Sequence, residues 1–260
     1  MRVVERWRRL RSANVVRLRE VACVGAPRTL LLAECGESGR PVVALTAGVH
    51  GDEPAAVWAV LSMVEDGLLD PRFAYRIWPC TNPTGFEAGT RENLEGTDIN
   101  RSFGRGGMSP ESAAILTSNR DRQFALTIDC HEDPQATGFY CYELERWVPG
   151  VGRRIVDVLD MCGLPVESLN GDLDIGYPSD DAVRRIERGR IVPDYERARA
   201  HFSGLTYSLS VGARAARRAL TLEAPGARAM DLRIATLRVA VVAAVSALLD
   251  EEGRSHGAAR

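Results

Sequence analysis

A single α/β domain, with a mixed, largely parallel central sheet flanked by helices, is the fold the sequence predicts. Three observations predict it. Apolar runs of strand length alternate with segments of helical spacing along most of the chain. One run, 41–47 (PVVALTA), is apolar throughout and ends in Gly48, the pattern of a strand buried on both faces of a mainly parallel sheet. No internal repeat or low-complexity linker interrupts the 260 residues. The chain then divides into an N-terminal hairpin at 1–36, a core at 37–225, and a C-terminal helix and tail at 226–260.

In order along the chain, 14–24 and 29–35 read as two strands joined by a turn at 25–27. After the 41–47 strand, 53–64 has helical spacing, with Val57, Val60, Leu61 and Val64 on one face. Asp52 is a candidate cap there and Pro54 suits the first turn. A strand at 72–78 ends at Pro79. The segment 81–107 is rich in Gly, Asn and charge, has little periodicity, and reads as a long functional loop. Ser109 caps a helix at 109–123 with Pro110 at its first position. Strands follow at 124–129 and 137–142, then a helix at 149–162. Residues 163–212 carry no clear pattern. A short strand at 219–222 and a helix at 229–249 complete the series.

Apolar residues make up 45% and charged residues 26%, with a formal net charge of −2. That balance gives no global field toward nucleic acid or an anionic membrane. The stretch 234–249, interrupted by Arg238, is short for a span of about 20 residues and reads as a buried helix. No secretory signal is evident at 1–10, and the six cysteines are scattered without a C-x-x-C pair. Reduced thiols and a cytoplasmic location are the expectation.

Active sites of α/β sheets gather at strand ends. Three strands here end in reactive residues: GVHGDE at 48–53, DCHED at 129–133 and EAP at 223–225. His50 and Glu53 lie three residues apart at a strand-to-helix turn that Gly48 and Gly51 relieve. His131 can add a third ligand from another strand. Two imidazoles and a carboxylate with one open position suit catalytic zinc. Alone, H-x-x-E is weak, since four histidines yield such a pair readily by chance and a lone His is more often structural.

Taken together, GVHGDE, Asn82-Pro83, Arg91, the run Asp98 to Phe103 (DINRSF), Asp129-Cys130-His131 and TLEAP at 221–225 resemble, in order, the motifs of the zinc carboxypeptidase A-like superfamily. That superfamily includes the succinylglutamate desuccinylase/aspartoacylase group and the short bacterial murein-peptide amidases. The resemblance covers roughly 40–225. It implies one zinc held by His50, Glu53 and His131, with Glu223 as general base. It further implies Arg91 at the oxyanion, and Asn100 and Arg101 at a substrate carboxylate. Tyr207 is a weaker candidate for the substrate-binding tyrosine, because no motif surrounds it.

Each residue also has a plainer reading. Glu223 could be a strand-end surface acid, Arg91 a solvated loop arginine and Asn100 a turn residue. Asp98 is read as bracing the loop or a ligand histidine. Asp129 shares a face with His131 and either orients it or is a buried structural acid. Glu132 and Asp133 either line the pocket or are solvated. Tyr140, Tyr142 and Glu143 either form a pocket wall or pack the core. His201 reads as structural or as a pocket residue.

The implied reaction is hydrolysis of a peptide or amide bond next to a free carboxylate, in a small peptide or an N-acyl amino acid, with no nucleic-acid or membrane partner. Deacylases of the aspartoacylase type commonly carry an added C-terminal β domain. Here the chain ends soon after 223–225, which favours the peptidase reading. A deacylase and a catalytically silent zinc- or peptide-binding relative are the alternatives.

Overall fold

A computed structural model describes residues 3–26, 28–104, 107–145, 150–169, 183–201 and 204–257. The chain opens with helix α1 (Val3–Ser12) and the hairpin β1 (Arg17–Ala22) and β2 (Thr29–Cys35). Then come β3 (Val42–Ala47), α2 (Pro54–Glu65), β4 (Ala74–Trp78), α3 (Pro83–Ala88), α4 (Pro110–Ser118), β5 (Leu126–Asp133) and β6 (Tyr140–Leu144). The remainder is α5 (Gly152–Met161), β7 (Val183–Glu187), β8 (Arg190–Pro193), α6 (Tyr195–His201), a π-helical turn Ser208–Gly212, α7 (Ala213–Ala215), β9 (Ala219–Pro225) and α8 (Met230–Gly257).

Nine strands form one sheet in the order β1-β2-β4-β3-β5-β9-β6-β8-β7. The four central strands β4, β3, β5 and β9 run parallel. Antiparallel pairs flank them on both sides. The sheet is mixed with a parallel centre, as the sequence predicts. The topology brings the ends of β3, β5 and β9, which carry the three reactive motifs, side by side.

The apolar run of β3 serves both faces. Val43, Leu45 and Ala47 join a core that includes Ile128, Leu220 and Leu222 and is covered by α1, α2, α5 and α8. Ala44 joins a second core on the other face, with Trp78, Phe103, Ile115 and Tyr207. Burial of each large side chain contributes about 1.5–3 kcal/mol. Helix α8 over Met230–Leu249 is long and apolar enough to cross a membrane, and half of that stretch is buried in the protein.

Several expectations change. The charged N-terminal segment is a helix: Trp7 and Leu10 are buried one turn apart, a stripe too narrow to stand out among the arginines. The expected loop at 81–107 contains α3 and a 3₁₀ turn, Ile99–Arg101. Asn82 starts α3 by accepting a hydrogen bond from Gly85 N at 2.9 Å. Ser109 caps α4 as expected, accepting from Ser112 N at 3.1 Å, but that helix ends at Ser118. Asp52 does not cap α2; the N-cap position belongs to Glu53, whose side chain makes no capping bond. Strand β5 continues through His131 to Asp133, because β9 pairs with it to Pro225.

Gly51 packs directly on α3. A Cβ there would stand 1.9 Å from Gly85 C and 2.2 Å from Phe86 N, both backbone atoms. Gly51→Ala should therefore push α3 off the 48–53 turn and lower stability by about 1–3 kcal/mol, read from the urea midpoint of the metal-free protein. An unchanged midpoint would contradict this close approach.

Candidate metal centre and active-site cavity

β3 delivers His50 and Glu53 through a turn at Gly48, whose φ of 63° is left-handed. β5 delivers His131 from the neighbouring strand. All three side chains are buried, and their ligand atoms lie within 4.8 Å of one another. Glu53 sits between the imidazoles: Oε1 is 2.5 Å from His50 Nδ1 and Oε2 is 3.0 Å from His131 Nδ1. Glu132 N donates to Glu53 Oε2 at 3.1 Å. The two rings meet edge to face, with centroids 5.0 Å apart.

Each imidazole is backed by a carboxylate on its far nitrogen. His131 Nε2 is 3.1 Å from Asp129 Oδ2, and Thr46 Oγ1 donates to Asp129 Oδ1 at 2.5 Å. His50 Nε2 lies 3.3 Å from Asp98 Oδ1. Such carboxylates fix ring orientation and leave Nδ1 facing the centre. The donor set, two Nδ1 atoms and one carboxylate backed in this way, fits a divalent metal.

Electrostatics in the metal-free chain follow from this geometry. Burial opposes the charge on both histidines, but Glu53 and Asp98 raise His50, and Asp129 and Glu53 raise His131 well above its ordinary value. Burial also works against Glu53, yet His50 and His131 hold its carboxyl far below the usual range. Asp98 is held low against its burial by His50, Arg91 and Arg101. The group is a compact ion cluster that must lose the imidazole protons to take a cation.

Arg91 leans over this cluster. Its Nε and Nη2 donate to Asp98 Oδ2 at 3.2 and 3.0 Å, and Nη1 lies 3.3 Å from His50 Nδ1 and 3.9 Å from Glu53 Oε1. Asn82 Nδ2 donates to Arg91 O at 3.1 Å, so the Asn-Pro pair that starts α3 also places the arginine. Asn100 and Arg101 line the same cavity from the 3₁₀ turn. Asn100 Oδ1 accepts from Tyr207 N at 3.2 Å, and Arg101 Nη1 donates to Asn100 O at 3.1 Å. Glu223 faces the cavity from β9, in register with His131. Burial pushes its carboxyl up to about 8, with Glu53 and Asp133 adding to the rise and His131 and His50 opposing it.

The cavity measures about 220 Å³. Tyr140 and Tyr142 form part of its wall, meeting edge to face at 5.7 Å, and Tyr140 Oη donates to Asp133 Oδ2 at 2.8 Å. Glu143 does not join them. It points to the opposite face of the sheet, where it is buried and accepts from Gly152 N at 3.1 Å and from Arg190 Nε at 2.7 Å. Tyr207 also lies away from the cavity, fully buried and packed edge to face on Phe103 at 5.6 Å. Its π-helical neighbourhood turns Thr206, Ser208 and Leu209 to the cavity instead. The side chain of His201 lies outside the described residues.

One contributor had no signal in the sequence. Arg28, in the hairpin turn, is nearly buried; its Nη1 lies 3.0 Å from Glu111 Oε1 and donates to Thr84 Oγ1 at 3.2 Å, and a second ion pair joins it to Glu95. Asn93 Nδ2 donates to Glu111 Oε2 at 3.2 Å. These bonds hold the segment between Arg91 and Asp98 from behind.

The succinylglutamate desuccinylase/aspartoacylase catalytic domain family matches residues 40–165. Among curated proteins, none matches the chain. Among solved structures, a candidate metallopeptidase from Shewanella amazonensis SB2B is similar at 25% identity and a TM-score of 0.74, covering 95% of this chain and 92% of its own. The metallo-carboxypeptidase of Burkholderia cenocepacia shares the fold at 17% identity and a TM-score of 0.61, covering 95% and 68%. Carboxypeptidase A of Helicoverpa armigera shares it at 16% identity and 0.64, covering 95% and 71%. Residues 40–165 thus resemble the succinylglutamate desuccinylase/aspartoacylase catalytic domain, and the chain shares its fold with metallocarboxypeptidases.

With a chelator present, the ion cluster sets the pH dependence of stability. Glu223 rises from 4.5 to about 8 on folding. Between those values the folded chain holds a proton that the unfolded chain has lost, so stability falls as pH rises. The histidines act in the same direction: folded values raised above 6.5 give stability that is full below that value and lost as pH climbs through them. The melting temperature of the metal-free protein should fall from about pH 6 to about pH 9, and Glu223→Gln should flatten the profile. A rising profile would contradict the pairing described.

Proposed function

We propose that the protein is a zinc-dependent hydrolase that cleaves a peptide or amide bond next to a free carboxylate. The observation that supports it is the convergence on one cavity of the His50–Glu53–His131 set, Glu223, and the cationic pair Arg91 and Arg101. Zinc is the proposed metal because two imidazole nitrogens and one carboxylate leave an open position for substrate and water. Bound there, it would supply Lewis acidity to water and to the scissile carbonyl.

The chain's own residues divide the remaining work. A Glu223 carboxylate oxygen takes a proton from the attacking water and passes it to the leaving nitrogen. The Arg91 guanidinium, fixed by two bonds to one oxygen of Asp98, faces the negative charge that develops on the carbonyl oxygen. Arg101 presents a planar fork suited to a carboxylate, with Asn100 beside it. The substrate is a small peptide or an N-acyl amino acid.

A second reading, N-acyl-amino-acid deacylase, is favoured by the family match over 40–165. It breaks the same kind of bond and uses the same residues. Metal analysis and a release assay on C-terminally varied peptides and N-acyl amino acids separate the two. About one zinc per chain and a freed C-terminal residue are the expected result. Release of acyl groups alone would establish the deacylase. Absence of metal after reconstitution with excess zinc would overturn the ligand assignment.

Two variants test the roles. Glu223→Gln should abolish turnover while zinc content is kept; surviving activity would refute the general-base role. Arg101→Ala should raise KM for substrates with a free carboxylate by about ten- to a hundredfold, the loss of a charged hydrogen-bond pair. An unchanged KM would reassign the carboxylate site.

A further inference from the structure

Glu53 is both the N-cap residue of α2 and a member of the metal-ligand set, and it cannot serve both. Its carboxylate is turned to His50 and His131 and makes no capping bond. Pro54, the first residue of α2, has no N–H, so Ala55 N is the first donor the helix must satisfy. That donor is met from another strand. Glu132 Oε1 accepts it at 2.5 Å, placing a carboxylate at the helix N-terminus, where negative charge is favoured.

The other carboxylate oxygen of Glu132 is engaged as well. Oε2 accepts from Arg233 Nη1 of α8 at 2.6 Å. Glu132 is 4% exposed although it borders the cavity. With both oxygens held on the helix side, it is occupied as a brace. Its backbone N–H is the group that donates to Glu53 Oε2. One residue thus joins the strand carrying His131, the helix that begins after Glu53, and the final helix.

We propose that Glu132, anchored by Arg233, is a positioning residue of the metal site: it caps α2 in place of Glu53 and so leaves Glu53 free to face His50 and His131. This rests on the reading that those three residues hold a metal. Zinc affinity, measured by competition with a chromophoric chelator, tests it in the wild type, Glu132→Ala, Glu132→Gln and Arg233→Ala, beside the melting temperature of each metal-free protein. Glu132→Ala should weaken zinc about 10- to 100-fold. Glu132→Gln retains an acceptor for Ala55 N–H and should recover part of the loss. Arg233→Ala leaves the carboxylate in place but unanchored and should fall between wild type and Glu132→Ala. A lowered metal-free melting temperature with wild-type zinc affinity would overturn the proposal, since a brace of the fold alone gives that result. Should Glu132→Ala fail to fold, wild-type affinity in Arg233→Ala overturns it equally. A wild type that binds no zinc would instead overturn the metal reading itself.

Discussion

Everything at the site depends on β3 and β5 lying parallel and adjacent, so that Thr46 pairs with Asp129 and Ala47 with Cys130. Parallel neighbours end at the same edge of a sheet, and turns leaving that edge can aim at one point. His50 and Glu53 leave from one strand and His131 sits on the other. The same register sets Thr46 beside Asp129, which in turn orients His131. β9 then adds Glu223 opposite His131. A one-residue slip would turn His131, Asp129 and Glu223 to the opposite face together.

The features legible in the sequence were those with local causes. Gly48 and Gly51 mark a turn that no side chain could occupy, and the apolar run of β3 marks a strand covered on both faces. Motif order pointed to the cavity residues because each motif closes one strand or turn. The features that escaped have either long-range causes or too short a local signal. Arg28 acts on Glu95, in the loop between Arg91 and Asp98, across 67 residues of sequence. Tyr207 was a candidate by chemistry and order, but the π-helical turn sends its ring against Phe103. Glu143 alternates with Tyr140 and Tyr142 along β6, and the period of two alone puts it on the other face. Helix α3 escaped because six residues with Pro and Gly carry no periodic signal.

Functional demands also explain where local rules are broken. An N-cap glutamate that does not cap and charged side chains buried at the strand ends each cost stability when taken alone. Here each departure is answered by a partner from a different element. Glu132 satisfies the first N–H of α2, Asp129 and Asp98 back the imidazoles, and Arg91 balances Asp98.

The balance of charge gives the arrangement its chemical sense. In the metal-free chain the carboxylates of Glu53, Asp98 and Asp129 face Arg91 and two histidines whose proton affinity the cluster raises. With both imidazoles protonated, they offset these carboxylates together with Arg91 and Arg101, and the cluster can fold without a metal. A divalent cation that displaces those two protons leaves the total unchanged. Such an exchange would replace two protons by one doubly charged ion, without adding net charge to a buried site.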